Sequence, residues 1–253
     1  MNDPFSLADR RVVVTGGTRG IGRAISWRFA AAGARVLANF VRDQAAAESL
    51  ERESAAAGHP IRTCRADLTG EKGMGHLVET VITSHAPVSA LVHCAATGVH
   101  RPFDQLTLRH FDWTYALNVR AFFELVRRLL PHFASDSSVV AISSEGATRA
   151  VSQYSLVGSS KGALEALVRH LAVELAPRGV RCNTLSAGTV LTDAWRVLPD
   201  SERRLTEAAA RSPLGRLTTA EEVAAAAQFL CSPAASGVVG HTLVVDGGQR
   251  IVG

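Results

Sequence analysis

The chain has 253 residues, of which 47% are hydrophobic and 20% charged, and its formal net charge is +4. This composition excludes a mainly disordered chain and allows a large buried core. Basic residues are scattered, and no apolar stretch approaches the ~18 residues of a membrane span, so neither nucleic acid nor a membrane is expected as a partner. The N-terminus has no leader pattern and the four cysteines lie far apart. We therefore expect a reduced, cytoplasmic protein with no disulfide and no metal site.

Short apolar runs alternate with longer helical patterns along the chain. The predicted strands are Arg11–Thr15, Arg35–Phe40, Ile61–Arg65, Ala90–Cys94, Val139–Ser143, Val180–Leu185 and Leu243–Val245. The predicted helices are Gly20–Ala32, Asp43–Ala57, Gly70–His85, Leu108–Phe133, Ser152–Ala176 and Ala220–Leu230. Strands alternating with helices indicate right-handed βαβ units, whose parallel sheet is covered on both faces. The sequence thus predicts an α/β fold, a single-domain Rossmann fold over residues 1–253 with a seven-stranded parallel doubly wound sheet. The segment 188–218 breaks the alternation and is predicted to be a substrate lid over the carboxyl ends of the strands.

A glycine-rich loop joins the first predicted strand to the first predicted helix. In the segment Thr15–Gly22, Gly16 permits a tight turn, Gly20 lets the backbone approach a pyrophosphate, and Gly22 lets helix and strand pack closely. The spacing G-x-x-x-G-x-G, in this strand–loop–helix context, predicts a dinucleotide site. Its predicted members are Gly16, Thr18, Arg19, Gly20, Ile21 and Gly22.

The end of the second strand bears on the choice of dinucleotide. A site for NAD usually places a carboxylate there to accept the ribose hydroxyls. Here the strand is followed by Val41 and Arg42, and the first carboxylate, Asp43, begins the next predicted helix. Arg42 and Arg19 are expected to clamp a 2′-phosphate, which favours NADPH as the cofactor, although both could be ordinary solvated side chains. Asp67 and Leu68 are candidates for binding adenine, with a helix N-cap as an equally favoured interpretation of Asp67.

From Val12 to Gly248 the chain resembles the short-chain dehydrogenase/reductase family. The resemblance depends on the segments Thr15–Gly22, His93–Ala96, Ile142–Ser144, Ser160–Lys161, Ser186–Thr192 and Val245–Gly248, together with Asn118. It implies catalytic roles for Ser144, Lys161 and Asn118, and further cofactor contacts from Ala95, Lys161, Gly188, Val190 and Thr192. The family usually has Tyr four residues before its Lys, but Val157 occupies that position here. His93 also departs from the family's usual Asn, and we expect it to be structural.

Tyr154 lies seven residues before Lys161 and is the candidate proton donor. On one helix that spacing would place the two side chains on the same face, about 20° apart. The Tyr-x6-Lys spacing resembles the enoyl-[acyl-carrier-protein] reductases, and the segments 95–99, 101–102, 112–114, 154–167 and 192–194 resemble their third, NADPH-dependent type. In conjugate reduction the hydride reaches the β-carbon while charge develops on the more distant thioester oxygen, so a donor one turn away is suitable. Lys161 is then expected to favour the phenolate and to bind the ribose.

Three functions remain open at this stage. The first is NADPH-dependent reduction of an enoyl thioester carried on acyl carrier protein or coenzyme A. The second is reduction of a ketone or enone by the same fold, and the third is dinucleotide binding without catalysis. The positive net charge suggests an acidic acyl carrier protein as a partner, docking near Arg196, Arg203 and Arg204, and the family resemblance implies a homotetramer or homodimer.

Overall fold

A parallel sheet forms the centre of the protein. The computed structural model describes residues 3–83, 85–192 and 201–252. In this part of the chain seven strands pair in the order β3-β2-β1-β4-β5-β6-β7, and every pairing is parallel. Their bounds are β1 Arg11–Thr15, β2 Arg35–Phe40, β3 Arg62–Arg65, β4 Val88–His93, β5 Phe133–Ser144, β6 Arg181–Ala187 and β7 Thr242–Val245. The order reverses between β1 and β4, which is where open α/β sheets bind their ligands.

Helices cover both faces of this sheet. They are α1 Gly20–Ala31, α2 Gln44–Ala56, α3 Glu71–Ile82, α4 Leu108–Tyr115, α5 Ala121–Leu129, α6 Ser155–Leu175, α7 Ser201–Arg211 and α8 Ala220–Cys231. Side chains on successive strand residues point to opposite faces, so the β1 residues Val12 and Val14 join one apolar cluster with α1, α2 and α8. Their neighbour Val13 joins the other cluster, with α3, α5 and α6. The predicted doubly wound Rossmann fold is therefore confirmed.

Some predicted elements differ from the structure in their bounds. The single helix predicted over Leu108–Phe133 is divided into α4 and α5 by a π-helical turn at Ala116–Arg120. Strand β5 begins at Phe133, six residues before its predicted start. Part of the predicted lid, 188–218, is helical as α7, whereas Trp195 and Arg196 lie outside the described residues. No helix in the described ranges is long and apolar enough to cross a bilayer.

Candidate active site

A cavity of about 980 Å³ lies at the carboxyl ends of the strands and gathers nearly all the predicted site residues. This volume is within the range of small-molecule and cofactor sites. The predicted cofactor residues that line it are Gly16, Thr18, Arg19, Gly20, Ile21, Gly22, Arg42, Asp67, Leu68, Ala95, Lys161, Gly188, Val190 and Thr192. Two predicted catalytic residues, Ser144 and Tyr154, line it as well, whereas Asn118 does not.

The glycine loop has the geometry that a close approach of backbone to a phosphate requires. Gly16 and Gly20 both have positive φ, of 62° and 50°, a conformation that side chains disfavour. A Cβ on Gly16 would lie 2.9 Å from the Cα of Ala95, and one on Gly22 would overlap with the carbonyl of Gly16. Helix α1 starts after Arg19, which provides no side-chain cap. Its first N–H groups are therefore available to an anion at the positive end of the helix.

The arginines expected to select NADPH differ in their surroundings. Arg19 is 3.5 Å from the carboxylate of Asp43, which also accepts a hydrogen bond from the backbone of Ala46 as the N-cap of α2. Arg42 is exposed and forms no hydrogen bond or ion pair through its guanidinium with the described residues. Arg42 also helps to lower the pKa of Asp67, although hydrogen bonds from Thr69 lower it more. Asp67 therefore closes a local turn with Thr69, and the helix N-cap that we considered for it is Gly70 instead.

Tyr154 is directed to Ser144, its partner at the end of β5. Their hydroxyl oxygens are 3.3 Å apart. The prediction that Tyr154 lies on the helix with Lys161 is wrong, because α6 begins at Ser155 and Tyr154 is its N-cap, with φ −119° and ψ 11°. Burial raises the pKa of Tyr154, the hydrogen bond with Ser144 opposes that shift, and the charge of Glu145 adds to it. The phenol therefore remains protonated at neutral pH and is suited to donate a hydrogen bond or a proton.

Lys161 is buried and lines the cavity. Its Nζ donates a hydrogen bond to the carbonyl of Ile142 at 2.7 Å. Burial lowers the pKa of Lys161 to about 8, against the opposing effects of Cys94 and Glu165. The described residues show no hydrogen bond from Lys161 to Tyr154, so Ser144, and not Lys161, is the partner of the phenol.

The side chain of Asn118 connects two segments of the protein through hydrogen bonds. It is fully buried in the π-helical turn, and its side-chain oxygen accepts from the N–H of Thr97 at 2.9 Å. Its amide nitrogen donates to the carbonyl of Thr97 and to the hydroxyl of Ser160, both at 2.9 Å. The side chain is thus occupied by protein groups and joins the loop after β4 to helix α6, beside Lys161. Both N–H groups of the Asn118 amide are therefore used within the protein.

His93 is buried where β4 ends. Its Nδ1 is 3.0 Å from the hydroxyl of Thr15, which also accepts a hydrogen bond from the N–H of Ala95. Burial, with a smaller contribution from the charge of Lys161, lowers the pKa of His93 to about 3. His93 is therefore neutral and links the glycine loop to the end of β4, which agrees with the structural role expected for it.

His100 and Trp113 are among the cavity residues that the sequence analysis did not predict as part of the site. His100 contacts the ring of Tyr154 edge-on, with ring centroids 5.1 Å apart, and its Nδ1 is buried without a hydrogen-bond partner. Trp113 lines the cavity and is 41% exposed. Their position in the loop after β4 and in α4 was the available signal, because segments that follow strand ends in this fold face the ligand.

The residues of this cavity fit a phosphorylated dinucleotide. An uncapped helix N-terminus faces it, glycines leave room for the ligand, and an unpaired guanidinium lies at the end of β2. A protonated phenol lies in the same cavity as these groups. Together, the doubly wound sheet and this site define a nucleotide-dependent oxidoreductase.

Comparisons with known proteins also point to a nucleotide-dependent oxidoreductase. Residues 16–250 match the family model described as enoyl-(acyl carrier protein) reductase. The 7α-hydroxysteroid dehydrogenase of Escherichia coli K12 is 33% identical over 98% of this chain and 96% of its own. The 1-cyclohexenylcarbonyl-CoA reductase of Streptomyces collinus is 32% identical over 100% of this chain and 92% of its own. The structure of a candidate NAD(P)-dependent gluconate 5-dehydrogenase from Beutenbergia cavernae, with NADP bound at low occupancy, has a TM-score of 0.91 and 35% identity, covering 98% of this chain and 100% of that one. The chain belongs to the short-chain dehydrogenase/reductase family of oxidoreductases.

Proposed function

We propose that this protein reduces the 2,3-double bond of a trans-2-enoyl thioester with NADPH. The observation that carries the proposal is the position of its only cavity-lining phenol, among the described residues, ahead of helix α6 and paired with Ser144. Val157 occupies the position of the family's usual tyrosine, and it is buried on the wall of the cavity.

NADP(H) is the cofactor. The solved relative from Beutenbergia cavernae contains NADP, and in this chain Arg42 offers an unpaired guanidinium in the position expected to meet a 2′-phosphate. When bound, NADPH supplies the hydride. In this proposal the N-terminus of α1 would hold the pyrophosphate, and Lys161, which lines the same cavity, would donate to the ribose hydroxyls.

The displaced phenol suits conjugate reduction. The hydride reaches the β-carbon, whereas negative charge develops on the thioester oxygen, two carbons away. Tyr154 donates to that oxygen, and Ser144 holds the phenol and offers a second hydroxyl beside it. A raised pKa keeps the proton on Tyr154 until charge develops on the substrate.

The relatives give partial support. The family model carries an enoyl reductase description, and the Streptomyces collinus relative is named as a reductase of a cyclohexenylcarbonyl thioester of coenzyme A. Ketone reduction is the second candidate, because the Ser144–Tyr154 pair would also hold a carbonyl and the Escherichia coli relative is a hydroxysteroid dehydrogenase.

The test is NADPH oxidation with crotonyl-CoA and acetoacetyl-CoA, assayed side by side. Enoyl reduction is expected to give a kcat/KM for crotonyl-CoA at least tenfold above that for acetoacetyl-CoA. A preference for acetoacetyl-CoA would replace the proposal with ketone reduction. Tight NADPH binding with turnover of neither thioester would favour the non-catalytic alternative or a substrate of another class.

A further inference from the structure

A second cavity, of about 430 Å³, adjoins the candidate active site. It is lined by Arg42, Val99, Arg109, His110 and Trp113. Arg42 and Trp113 also line the larger cavity, so the two spaces share a wall, whereas Tyr154 lines only the larger one. The second cavity therefore extends away from the reacting centre, beyond the residue expected to meet the 2′-phosphate.

The charges around this second cavity favour an anion. Its lining holds two guanidinium groups and no carboxylate. Neither Arg42 nor Arg109 forms a hydrogen bond or ion pair through its side chain with any described residue. Arg109 provides the forked donors that bind phosphate in bidentate geometry, and Arg42 on the shared wall adds positive charge.

His110 adds a donor whose tautomer the fold determines. Its Nδ1 accepts the backbone N–H of Thr107 at 3.2 Å, as part of the capping box at the start of α4. In the neutral imidazole the proton is then on Nε2, which is left to donate. Trp113, a residue that is 41% exposed, provides an aromatic face beside these donors. An aromatic face next to clustered phosphate donors is suited to a phosphorylated nucleoside.

We propose that this second cavity binds the 3′-phosphoadenosine end of a coenzyme A thioester, with Arg109 and His110 on the phosphate and Trp113 against the adenine, while Arg42 stays on the 2′-phosphate of NADPH. The inference rests on the proposed thioester substrate and specifies its carrier. In such a substrate the whole pantetheine arm separates the acyl group from the 3′-phosphate. Because of that length, the phosphate must bind away from Tyr154, and the second cavity, which Tyr154 does not line, meets this requirement.

Binding is tested first, without turnover. Adenosine 3′,5′-bisphosphate is titrated by calorimetry into protein saturated with NADP⁺, so that the larger cavity is already filled. We expect binding that weakens about tenfold in Arg109→Ala, the loss of roughly one charge-assisted hydrogen bond. Arg52→Ala, an exposed arginine on α2 that lines neither cavity, is the matched control and should bind as the wild type does. Absence of binding to the NADP⁺-saturated protein would overturn the proposal, since the second cavity would then belong to the cofactor site.

Kinetics then identify the carrier. In Arg109→Ala the KM for crotonyl-CoA should rise about tenfold with kcat unchanged, while the KM for crotonyl-pantetheine, which has no phosphate, should not move. Crotonyl-dephospho-CoA, lacking only the 3′-phosphate, should be nearly insensitive to the substitution. An equal effect on all three thioesters, or an effect confined to crotonyl-acyl carrier protein, would overturn the assignment to coenzyme A. If no thioester is reduced but the bisphosphate still binds through Arg109, the proposed function fails and the nucleotide site stands.

Discussion

Replacing Tyr154 with Phe removes one oxygen and leaves the ring in place. The lost contact with Ser144 is a 3.3 Å hydrogen bond between hydroxyls, worth about 0.5–1.5 kcal/mol of stability. In a chain of this size such a loss lowers Tm by only a few degrees, at about 2–4 °C per kcal/mol. In the proposed mechanism the same oxygen is the proton donor, and general acids typically contribute about 100- to 10,000-fold. We therefore expect kcat for crotonyl-CoA to fall by that factor while the Kd for NADPH is nearly unchanged.

The chain offers a matched control for this substitution. Tyr115 is the other of the chain's two tyrosines. It stacks on Phe111 with ring centroids 4.3 Å apart and does not line the cavity. Tyr115→Phe should therefore keep full turnover. The assays are steady-state NADPH oxidation, NADPH fluorescence titration and thermal unfolding. Turnover of Tyr154→Phe within about threefold of the wild type would refute the assignment of the proton donor.

A double variant tests why the phenol is displaced. Val157→Tyr in the Tyr154→Phe background restores the family's usual four-residue spacing to Lys161. Val157 lines the cavity, so the new ring can project into it. The geometric argument predicts no recovery of enoyl reduction and weak reduction of acetoacetyl-CoA. Full enoyl reductase activity would show that the seven-residue spacing is incidental.

Four further expectations concern charge. Arg42→Ala should weaken NADPH binding at least tenfold, from a lost interaction of about 1.5–3 kcal/mol, and leave NADH binding nearly unchanged; equal losses would contradict the 2′-phosphate assignment. Because burial lowers the pKa of Lys161 to about 8, NADPH affinity should fall as the pH rises through 8, and a constant Kd from pH 7 to 9.5 would contradict a cationic role. The pKa of His93 is about 3 in the folded protein, against an ordinary value of 6.5. As the pH falls below 6.5, the unfolded chain therefore binds a proton at His93 that the folded protein does not. The free energy of unfolding should decrease between pH 6.5 and 3 for this reason. Urea unfolding of His93→Asn should show a weaker decrease, and an identical pH dependence would exclude His93 as its source. If acyl carrier protein is the physiological carrier, the KM for crotonyl-acyl carrier protein should rise with salt and rise less in Arg204→Ala, whereas a KM independent of salt would exclude electrostatic docking.

Local patterns predicted most of the fold. Strands β1 and β2 have the predicted bounds, because a buried parallel strand is a continuous apolar run that stands out in the sequence. The start of β5 was missed, because its first half contains the polar residues 135–138. Ser138 is nevertheless fully buried, and its hydroxyl tolerates burial because it donates a hydrogen bond to the carbonyl of Leu230. Such a tertiary hydrogen bond leaves no trace in hydrophobic periodicity.

The site was predicted as a set of residues but not as a geometry. The residues that motif spacing predicted for the cofactor all line one cavity. It could not show that Tyr154 precedes its helix, because Gln153, with φ 59°, turns the chain just before it and no local pattern requires that turn. The second cavity combines residues from the end of β2, the loop after β4 and α4. Only the folded chain brings these together.

The close contact between Gly98 and Val157 means that the residue type allowed at one position depends on the residue at the other. A Cβ on Gly98 would overlap with a methyl group of Val157, so residue 98 can carry a side chain only if that methyl group moves or is removed. A substitution at residue 98 alone should therefore lower the free energy of unfolding, because Val157 or the loop has to shift. Joint randomisation of both positions, with small residues at 157, should recover folded proteins whose cavity wall is reshaped beside Tyr154. Divergence of specificity in this chain is thus expected to proceed by paired replacements.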